Sequence, residues 1–375
     1  STINENDEAE SGDSDGDDTD AGLMALEDEA VSTVDVSWYS AGSETKSASL
    51  SNAAQLRGLA ALVNGTAIDS KGSAIAAETF SGWTITLTDD IDLSADVTDK
   101  EWTPIGSSAS MAFKGTLDGN QHKISGMVIT KRNTVYMGFF GYLGIGAVVK
   151  NLSLSGKIDV ETTSTSAEYV GGIAGYIDSS VLSGVSVNVE LICTATMRDY
   201  IGGFAGYGSS CEADGCTAAG EVTVSTTKNT VYVGGMFGYL MRAQVTDCSS
   251  DAAVTAGSSS TNLYTGGISA YIASDTVIDS CVNRGFVTTG YGSSLSTTNY
   301  CGGITGYLSG ASGSSTGTMI INSVNEGSIS AAAKTNVYVG GLVGYTVNGV
   351  TVNNSCNKGA ISAPDAASAT AVYAG

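Results

Sequence analysis

A phrase of eight residues recurs along this chain and always opens with tyrosine and closes with tyrosine. The six full copies read YVGGIAGY, YIGGFAGY, YVGGMFGY, YTGGISAY, YCGGITGY and YVGGLVGY, and a copy one residue shorter spans Tyr136 to Tyr142. The closing tyrosines are 31 to 38 residues apart along the chain: Tyr142, Tyr176, Tyr207, Tyr239, Tyr271, Tyr307 and Tyr345. This period is typical of solenoids, whose repeats bury apolar surface only against their neighbours. The pattern predicts an all-β fold, a β-helix or β-solenoid of about seven or more turns of ~32 residues, with an N-terminal capping helix.

Each repeat contains a predicted core position and a pair of glycines. The residue after the glycines is large and apolar in every full copy: Ile173, Phe204, Met236, Ile268, Ile304 and Leu342. One apolar residue per repeat predicts an inward ladder. The two glycines are compatible with a corner, with positive φ, or with close passage of one turn's backbone over the next.

The segment SLSNAAQLRGLAALVNG predicts one amphipathic helix before the repeats. Leu56, Leu59 and Val63 recur at helical spacing, Ser49 or Ser51 is the expected N-cap, and Gly65 permits a left-handed stop. Because a solenoid end exposes apolar side chains and strand edges, we expect this helix to cover the end before the first turn.

The acidic residues are concentrated at the N-terminus, which sets this part of the chain apart from the rest. Residues 1–30 contain 12 acidic and no basic side chains, out of a net charge of −22. We predict an acidic disordered leader over 1–35, an N-terminal cap with the helix and first strands over 36–100, and the solenoid over 101–375. Because TAVYAG at the C-terminus repeats TNVYVG at 335–340, we expect the chain to stop inside a further repeat. The leader departs from an EF-hand loop, whose sixth and twelfth positions require Gly and Glu.

The seven cysteines predict packing rather than a disulfide framework. Four of them, Cys216, Cys248, Cys281 and Cys356, follow a closing tyrosine by 9 to 11 residues, so we expect them at one inward position. Cys301 replaces the valine of other repeats and is also expected in the core. With a single histidine and no Cys-x-x-Cys pair, the sequence predicts neither a metal site nor a cofactor.

The opening tyrosines form a candidate ligand-binding strip. One tyrosine per turn predicts a ladder of rings, and a strip beside polar Ser/Thr loops could present flat faces to sugar rings or a peptide. The loops vary in length, and partners of solenoids often bind on the face that carries such variation. The predicted ligand-binding residues are Tyr169, Tyr200, Tyr232, Tyr264, Tyr300 and Tyr338.

The motifs GGIAGY, GGFAGY, GGMFGY, GGITGY and GGLVGY resemble the GLUG-motif family of bacterial surface proteins. The resemblance begins near Ser49 and includes AAQLRGLAALVNG, TLTDDIDLS, EWTPIG and FKGTLDGNQHKISG, whereas Ala270 replaces the last glycine of one repeat. It implies a β-helical solenoid in secreted or wall-attached bacterial proteins, including adhesin-like chains and regions beside the catalytic domain of some immunoglobulin A peptidases. It implies no activity for the repeats themselves.

Three functions are compatible with this pattern. An extracellular or cell-surface adhesin, monomeric and binding a host glycan or host protein, is the first, and a non-binding stalk that presents another domain is the second. The third is a polysaccharide-acting β-helix enzyme, for which Asp247 and Asp279 on adjacent turns could supply two carboxylates ~5 Å apart. An aspartate there is more often a turn acceptor, so we expect no enzyme. Nucleic acid is disfavoured by the acidic charge, and the 17 residues of 133–149 are too short for a membrane span.

Overall fold

The computed structural model describes residues 33–95, 100–131, 134–163, 165–226, 230–258, 262–290, 296–311, 313, 317–347, 349–364 and 371–374. The chain from Thr33 onward forms one compact unit. The predicted leader lies mostly outside the described residues. Its last three residues, 33–35, are described, and the amide of Asp35 donates a 2.9 Å hydrogen bond to the carbonyl of Ala54.

All the strands of the solenoid pair in parallel and form three sheets. The opening sheet has eight strands, one per turn, which carry the opening tyrosines: Tyr136–Met137, Tyr169–Gly171, Asp199–Gly202, Val231–Gly234, Asn262–Gly266, Thr298–Gly302, Asn336–Gly340 and Ala371–Ala374. The closing sheet has seven strands, which carry the closing tyrosines: Phe140–Leu143, Ala174–Asp178, Ala205–Ser209, Phe237–Met241, Ser269–Ala273, Thr305–Ser309 and Val343–Val347.

The long sheet forms the remaining side of each turn. Its 21 strands include two or three short strands per turn in the later repeats. They are Ser47–Leu50, Thr84–Leu87, Ile91–Asp92, Thr116–Asp118, Lys123–Ile129, Val148–Glu161, Val181–Ala195, Glu212–Asp214, Thr217–Thr226, Gln244–Thr246, Ser249–Ser250, Ala253–Ser258, Val277–Asp279, Val282–Asn283, Val287–Thr289, Thr318–Ile321, Val324–Asn325, Ile329–Ala331, Val350–Asn353, Cys356–Asn357 and Ile361–Ser362. The predicted β-solenoid is confirmed.

Equivalent repeat positions lie opposite one another across neighbouring turns. Tyr200 pairs with Tyr169 on one side and Tyr232 on the other. The predicted apolar ladder is buried from Ile173 to Ile304, and Leu342 packs against the same core. The strand Ala371–Ala374 pairs with 336–339, as the similarity of the two segments predicts.

The single helix of the described residues runs from Ala53 to Val63, as predicted. Its N-cap is Asn52, not Ser49 or Ser51: the Asn52 side chain accepts a 3.0 Å hydrogen bond from the amide of Gln55. The Gln55 side chain in turn accepts a 2.7 Å hydrogen bond from the amide of Ser51, the residue before the N-cap. Gly65 follows the helix with a φ of 69° and supplies the predicted left-handed stop.

The helix packs on the N-terminal turn of the solenoid, as a cap requires. Leu56, Leu59 and Leu62 are fully buried. The Arg57 guanidinium lies 5.8 Å from the ring centroid of Trp102 and donates a 2.8 Å hydrogen bond to the carbonyl of Glu101. These contacts replace the apolar and backbone partners that the first turn lacks on that side.

Close passage between turns explains the paired glycines. None of the second glycines has a positive φ, but a Cβ on Gly235 would lie 2.2 Å from the carbonyl oxygen of Gly267. A Cβ on Gly267 would in turn lie 2.3 Å from the carbonyl oxygen of Gly303 and 2.2 Å from the side chain of Asn283. Each second glycine therefore leaves room for the backbone of the next turn and for a side chain of the long sheet.

One residue per turn of the long sheet adopts a left-handed conformation and bends the strand. The ladder has φ values of 48° to 61° and consists of Asn151, Gly184, Gly215, Asp247, Ser280, Asn322 and Asn354. The next position holds Leu152 and Val185 in the first two of these turns and is small in the other five, with Cys216, Cys248 and Cys281 followed by Ser323 and Ser355. The side chain of Ser323 accepts a 3.1 Å hydrogen bond from the amide of Cys281, so polarity at this position satisfies the bent backbone.

The inward position predicted for Cys356 is wrong. Cys356 pairs with Val324, one residue beyond the inward ladder, and is exposed. The varying length of the preceding loop shifts it by one position, and a shift of one residue reverses the face of a strand residue. All seven cysteines are free and the other six are buried, which confirms the packing role predicted for Cys301.

An asparagine ladder runs through the core of the later turns. Asn283, Asn325 and Asn357 are register partners, and Asn283 and Asn325 are fully buried. Each side-chain amide also donates to a carbonyl two residues further along the chain, at Gly285, Gly327 and Gly359 respectively. The ladder thereby supplies hydrogen bonds within each turn and between turns.

Candidate functional site

The opening tyrosines form a continuous stack on the surface of the solenoid. Neighbouring rings from Tyr136 to Tyr338 have centroids 4.8 to 5.2 Å apart and interplanar angles of 7 to 16°. The closing tyrosines from Tyr142 to Tyr307 stack in the same way, at 4.7 to 4.9 Å. The in-register pairing of parallel strands, which repeats every ~4.8 Å, sets this spacing.

The two stacks also pack against each other. Within each turn the opening ring meets the closing ring at 61 to 87°, with centroids 5.0 to 5.6 Å apart. We call this double stack the tyrosine seam. Edge-to-face and offset-stacked geometries are both favourable for aromatic rings, so the seam stabilises the stacking of turns.

The seam changes how the predicted binding strip could act. We expected Tyr169, Tyr200, Tyr232, Tyr264, Tyr300 and Tyr338 to present flat ring faces. That geometry is wrong for the first five, because neighbouring rings cover both faces of each, and one face of Tyr338 is covered by Tyr300. Tyr232 is only 9% exposed, and burial raises the pKa of its hydroxyl to about 12. Ligand binding by these residues stays a prediction, and it would use ring edges and hydroxyls.

The two aspartates of the enzyme hypothesis do not share a register position. The register partner of Asp279 is Thr246, not Asp247. Asp247 has a left-handed φ of 52°, and its amide donates a 3.1 Å hydrogen bond to the carbonyl of Asp279. The Asp279 carboxylate accepts a 2.8 Å hydrogen bond from the side chain of Asn322, on the next turn of the solenoid. The equivalent placement that the spacing predicted is therefore wrong.

Two aspartates that follow the strand Thr84–Leu87 accept hydrogen bonds from backbone amides. Asp92 accepts hydrogen bonds from the amide and the hydroxyl of Ser94 at 2.9 and 2.7 Å. Asp90 accepts a 2.9 Å bond from the amide of Lys123 and lies 3.1 Å from Nδ1 of His122. Within the described ranges, no group of three or more His, Cys, Asp or Glu side chains is placed to hold a metal ion.

A groove of about 310 Å³ lies on the outside of the long sheet and escaped the sequence analysis. One row of its lining runs across four turns through Lys123, Ser153, Ser186 and Thr217, which are register partners. A second row, two residues further along each strand, contains Ser155, Asn188 and Ala219. We call this site the hydroxyl groove.

Asp90 and Lys123 bring charge to the N-terminal end of the hydroxyl groove. The backbone hydrogen bond from Lys123, followed by the side-chain bond from His122, lowers the pKa of Asp90. A β-bulge between Ile124 and Met127 interrupts the strand pairing beside them. The sequence does not reveal this lining, because serine and threonine at alternate positions of a strand predict only that one side of the strand faces solvent. The groove depends in addition on which residues of neighbouring turns lie side by side, and this is set by the register.

The comparisons with known proteins identify relatives of part of the chain. No family model matches it. Over 110 residues it is 36% identical to a protein of Evansella cellulosilytica provisionally named Gly-rich membrane protein, a match that covers 29% of this chain and 12% of that protein. It is also 34% identical over 110 residues to Halomucin of Haloquadratum walsbyi, a match that covers 26% of this chain and 1% of Halomucin. The chain therefore spans a small fraction of the length of these relatives.

A solved structure is similar over most of the chain. It is a crystal structure provisionally described as an immunoglobulin A1 protease from Bacteroides ovatus, with a TM-score of 0.46 and 18% identity. The alignment covers 89% of this chain and 85% of that structure. Separately, none of the helices in the described ranges is long and apolar enough to span a membrane.

Proposed function

We propose that this chain is a repeat module of a bacterial cell-surface or secreted protein, belongs to the GLUG-motif family, and acts as an adhesin for host glycans or host proteins. In-register stacking of about eight turns is the observation that carries this proposal. Such a fold extends by repetition and offers each surface feature once per turn, which suits weak contacts repeated along a ligand. The acidic charge disfavours nucleic acid as a partner.

A non-binding stalk is the second candidate, favoured by one observation. The tyrosine seam uses its ring faces for contacts within the solenoid, so its aromatic surface supports rigidity directly. In this proposal the chain projects another domain and is itself inert. We also propose that the chain is monomeric and has no catalytic activity, since Asp247 and Asp279 are not register partners and the Asp279 carboxylate is bonded to the side chain of Asn322.

Retention of the purified chain on an array tests the proposal. The array carries neutral, sialylated and sulfated oligosaccharides together with purified extracellular matrix proteins. We expect retention on at least one class, and retention on none contradicts the adhesin function and favours the stalk. Release of reducing ends from soluble polysaccharides, measured in parallel, would contradict the absence of catalysis.

A further inference from the structure

We propose that the hydroxyl groove binds a short segment of a neutral, hydroxyl-rich glycan. This inference rests on the proposed binding function and assigns it a site and a ligand class. The site differs from the tyrosine strip, since it lies on the long sheet. Its lining combines Ser, Thr and Asn residues with the apolar residues Ile124, Leu154, Val187 and Ala219, and it has one charged pair at the end.

The lining matches the hydrogen-bonding character of a sugar. Serine and threonine hydroxyls donate and accept, as sugar hydroxyls do, and the Asn188 amide does both with separate atoms. The hydroxyl of Thr217 donates a 2.9 Å hydrogen bond to that of Ser186, which aligns two members of the first row. The rows repeat every ~4.8 Å between turns and lie ~7 Å apart along the strands, so polar groups form a regular grid.

Several of these groups are available to a ligand. Asn188 is exposed, and Ser155 is half-buried beside it. Among the described residues, neither side chain takes part in a hydrogen bond. A bound sugar would therefore add hydrogen bonds without breaking existing ones at these two positions.

The size of the groove limits the ligand to a few sugar rings. Its volume of about 310 Å³ is at the lower end of the ~300 to 1,000 Å³ range of small-molecule sites. The first row spans four turns, or about 14 Å at ~4.8 Å per turn. A longer glycan would continue beyond the groove, along the outside of the sheet.

Charge and sheet topology argue against other ligands. The chain carries a net charge of −22, which disfavours anionic glycans, and the groove offers them one ammonium group, Lys123, beside the carboxylate of Asp90. The central strands of the groove, Val148–Glu161 and Val181–Ala195, are paired on both sides, so an extended peptide cannot add to an open edge there. A neutral glycan needs neither opposite charge nor a free edge.

A pair of matched double variants tests the groove on the same array of oligosaccharides and matrix proteins. Asn188→Ala with Thr217→Val removes one amide and one hydroxyl from the groove. Thr255→Val with Thr288→Val removes two hydroxyls from the same sheet outside it, at residues that are register partners of each other. Two lost hydrogen bonds should lower affinity for a neutral tetrasaccharide by about tenfold, and the control pair should change it less than twofold.

Each outcome decides the inference. If the wild-type chain binds a neutral oligosaccharide and only the groove variant loses it, the groove is the site. If the wild-type chain binds proteins or acidic glycans alone, or if both variants bind equally, the adhesin function stands and the groove is excluded. If it binds nothing on the array, the adhesin function fails and the groove with it. If the double variant does not fold, Asn188→Ala alone, at an exposed position, replaces it. The expected result is then about a threefold loss of affinity for the neutral oligosaccharide.

Discussion

The side-chain amide of Asn283 donates a 2.8 Å hydrogen bond to the side-chain oxygen of Asn325, one turn further along the solenoid. Asn325 repeats the contact with Asn357 at 2.7 Å. Because buried amides are costly unless they are paired, each member depends on its neighbour in the adjacent turn. The ladder therefore fixes register as well as stabilising the core.

Replacing the central member of this ladder should destabilise the fold. Asn325→Ala removes three hydrogen bonds, two donated and one accepted, and leaves the side chain of Asn283 and the carbonyl of Gly327 without that partner. We expect a loss of about 2 to 4 kcal/mol in the free energy of unfolding, measured by urea denaturation. Asn188→Ala is the control, because an exposed asparagine should cost less than about 0.5 kcal/mol. Equal midpoints for the two variants would show that the ladder contributes nothing.

Extending the ladder by one turn should stabilise the fold. Ser250 is the register partner of Asn283, and among the described residues its hydroxyl and the side-chain oxygen of Asn283 are buried without a hydrogen-bond partner. Ser250→Asn can donate to Asn283, and Gly235 leaves room as Gly267 does for Asn283. We expect a gain of about 1 kcal/mol, seen as a higher melting temperature. Ser250→Ala removes a hydroxyl without adding a donor, so a gain equal to that of Ser250→Asn would contradict the extension.

The second glycine of each pair should not tolerate a side chain. Gly235→Ala places a Cβ 2.2 Å from the carbonyl oxygen of Gly267, so one turn must move away from the next. We expect a loss of more than about 3 kcal/mol or failure to fold, and Gly235→Val should be worse. Gly349→Ala is the matched control, because no atom lies within 4 Å of its added Cβ. A melting temperature equal to that of the control would exclude the steric role.

High pH should unfold the solenoid through the tyrosine seam. Burial raises the pKa of Tyr232 and of Tyr307 to about 12, against about 10 in the unfolded chain. Between these values the unfolded state loses its protons first, so stability is complete below pH ~10 and falls as pH rises through ~12. We expect the urea midpoint to fall over this window, together with the appearance of tyrosinate absorbance. Titration of all the tyrosines near pH 10 with an unchanged midpoint would show that their burial has no effect on stability.

Native thiol labelling should distinguish Cys356 from the other cysteines. Cys356 is exposed, whereas six are buried, and burial raises the pKa of Cys211 and Cys301 to about 12. Because the thiolate is the reactive species, iodoacetamide at neutral pH should modify one cysteine in the folded chain and seven in denaturant. Rapid labelling of Cys216, Cys248 or Cys281 in the folded chain would contradict the inward ladder.

Periodicity in the sequence was enough to predict the class of fold, the helix near Ala53–Val63 and the ladder from Ile173 to Ile304, because each depends on local pattern repeated in register. The errors at Cys356 and at Asp247 with Asp279 have one cause: loops of different length shift the register between turns by one residue. The hydroxyl groove was missed for a related reason, since it combines residues from several turns and no local segment contains it.

Deletion of one complete turn tests the central claim of in-register stacking most directly. Removing residues 232–263 joins Val231 to Tyr264, and Val231 is the register partner of Leu263, so the junction reproduces a native sequence position. If stability comes from contacts between neighbouring turns, the shortened chain should keep its β-type circular dichroism spectrum and a cooperative melt, with a modest loss of stability. A shortened chain that is unfolded or aggregated, while the full chain melts cooperatively under the same conditions, would contradict the account.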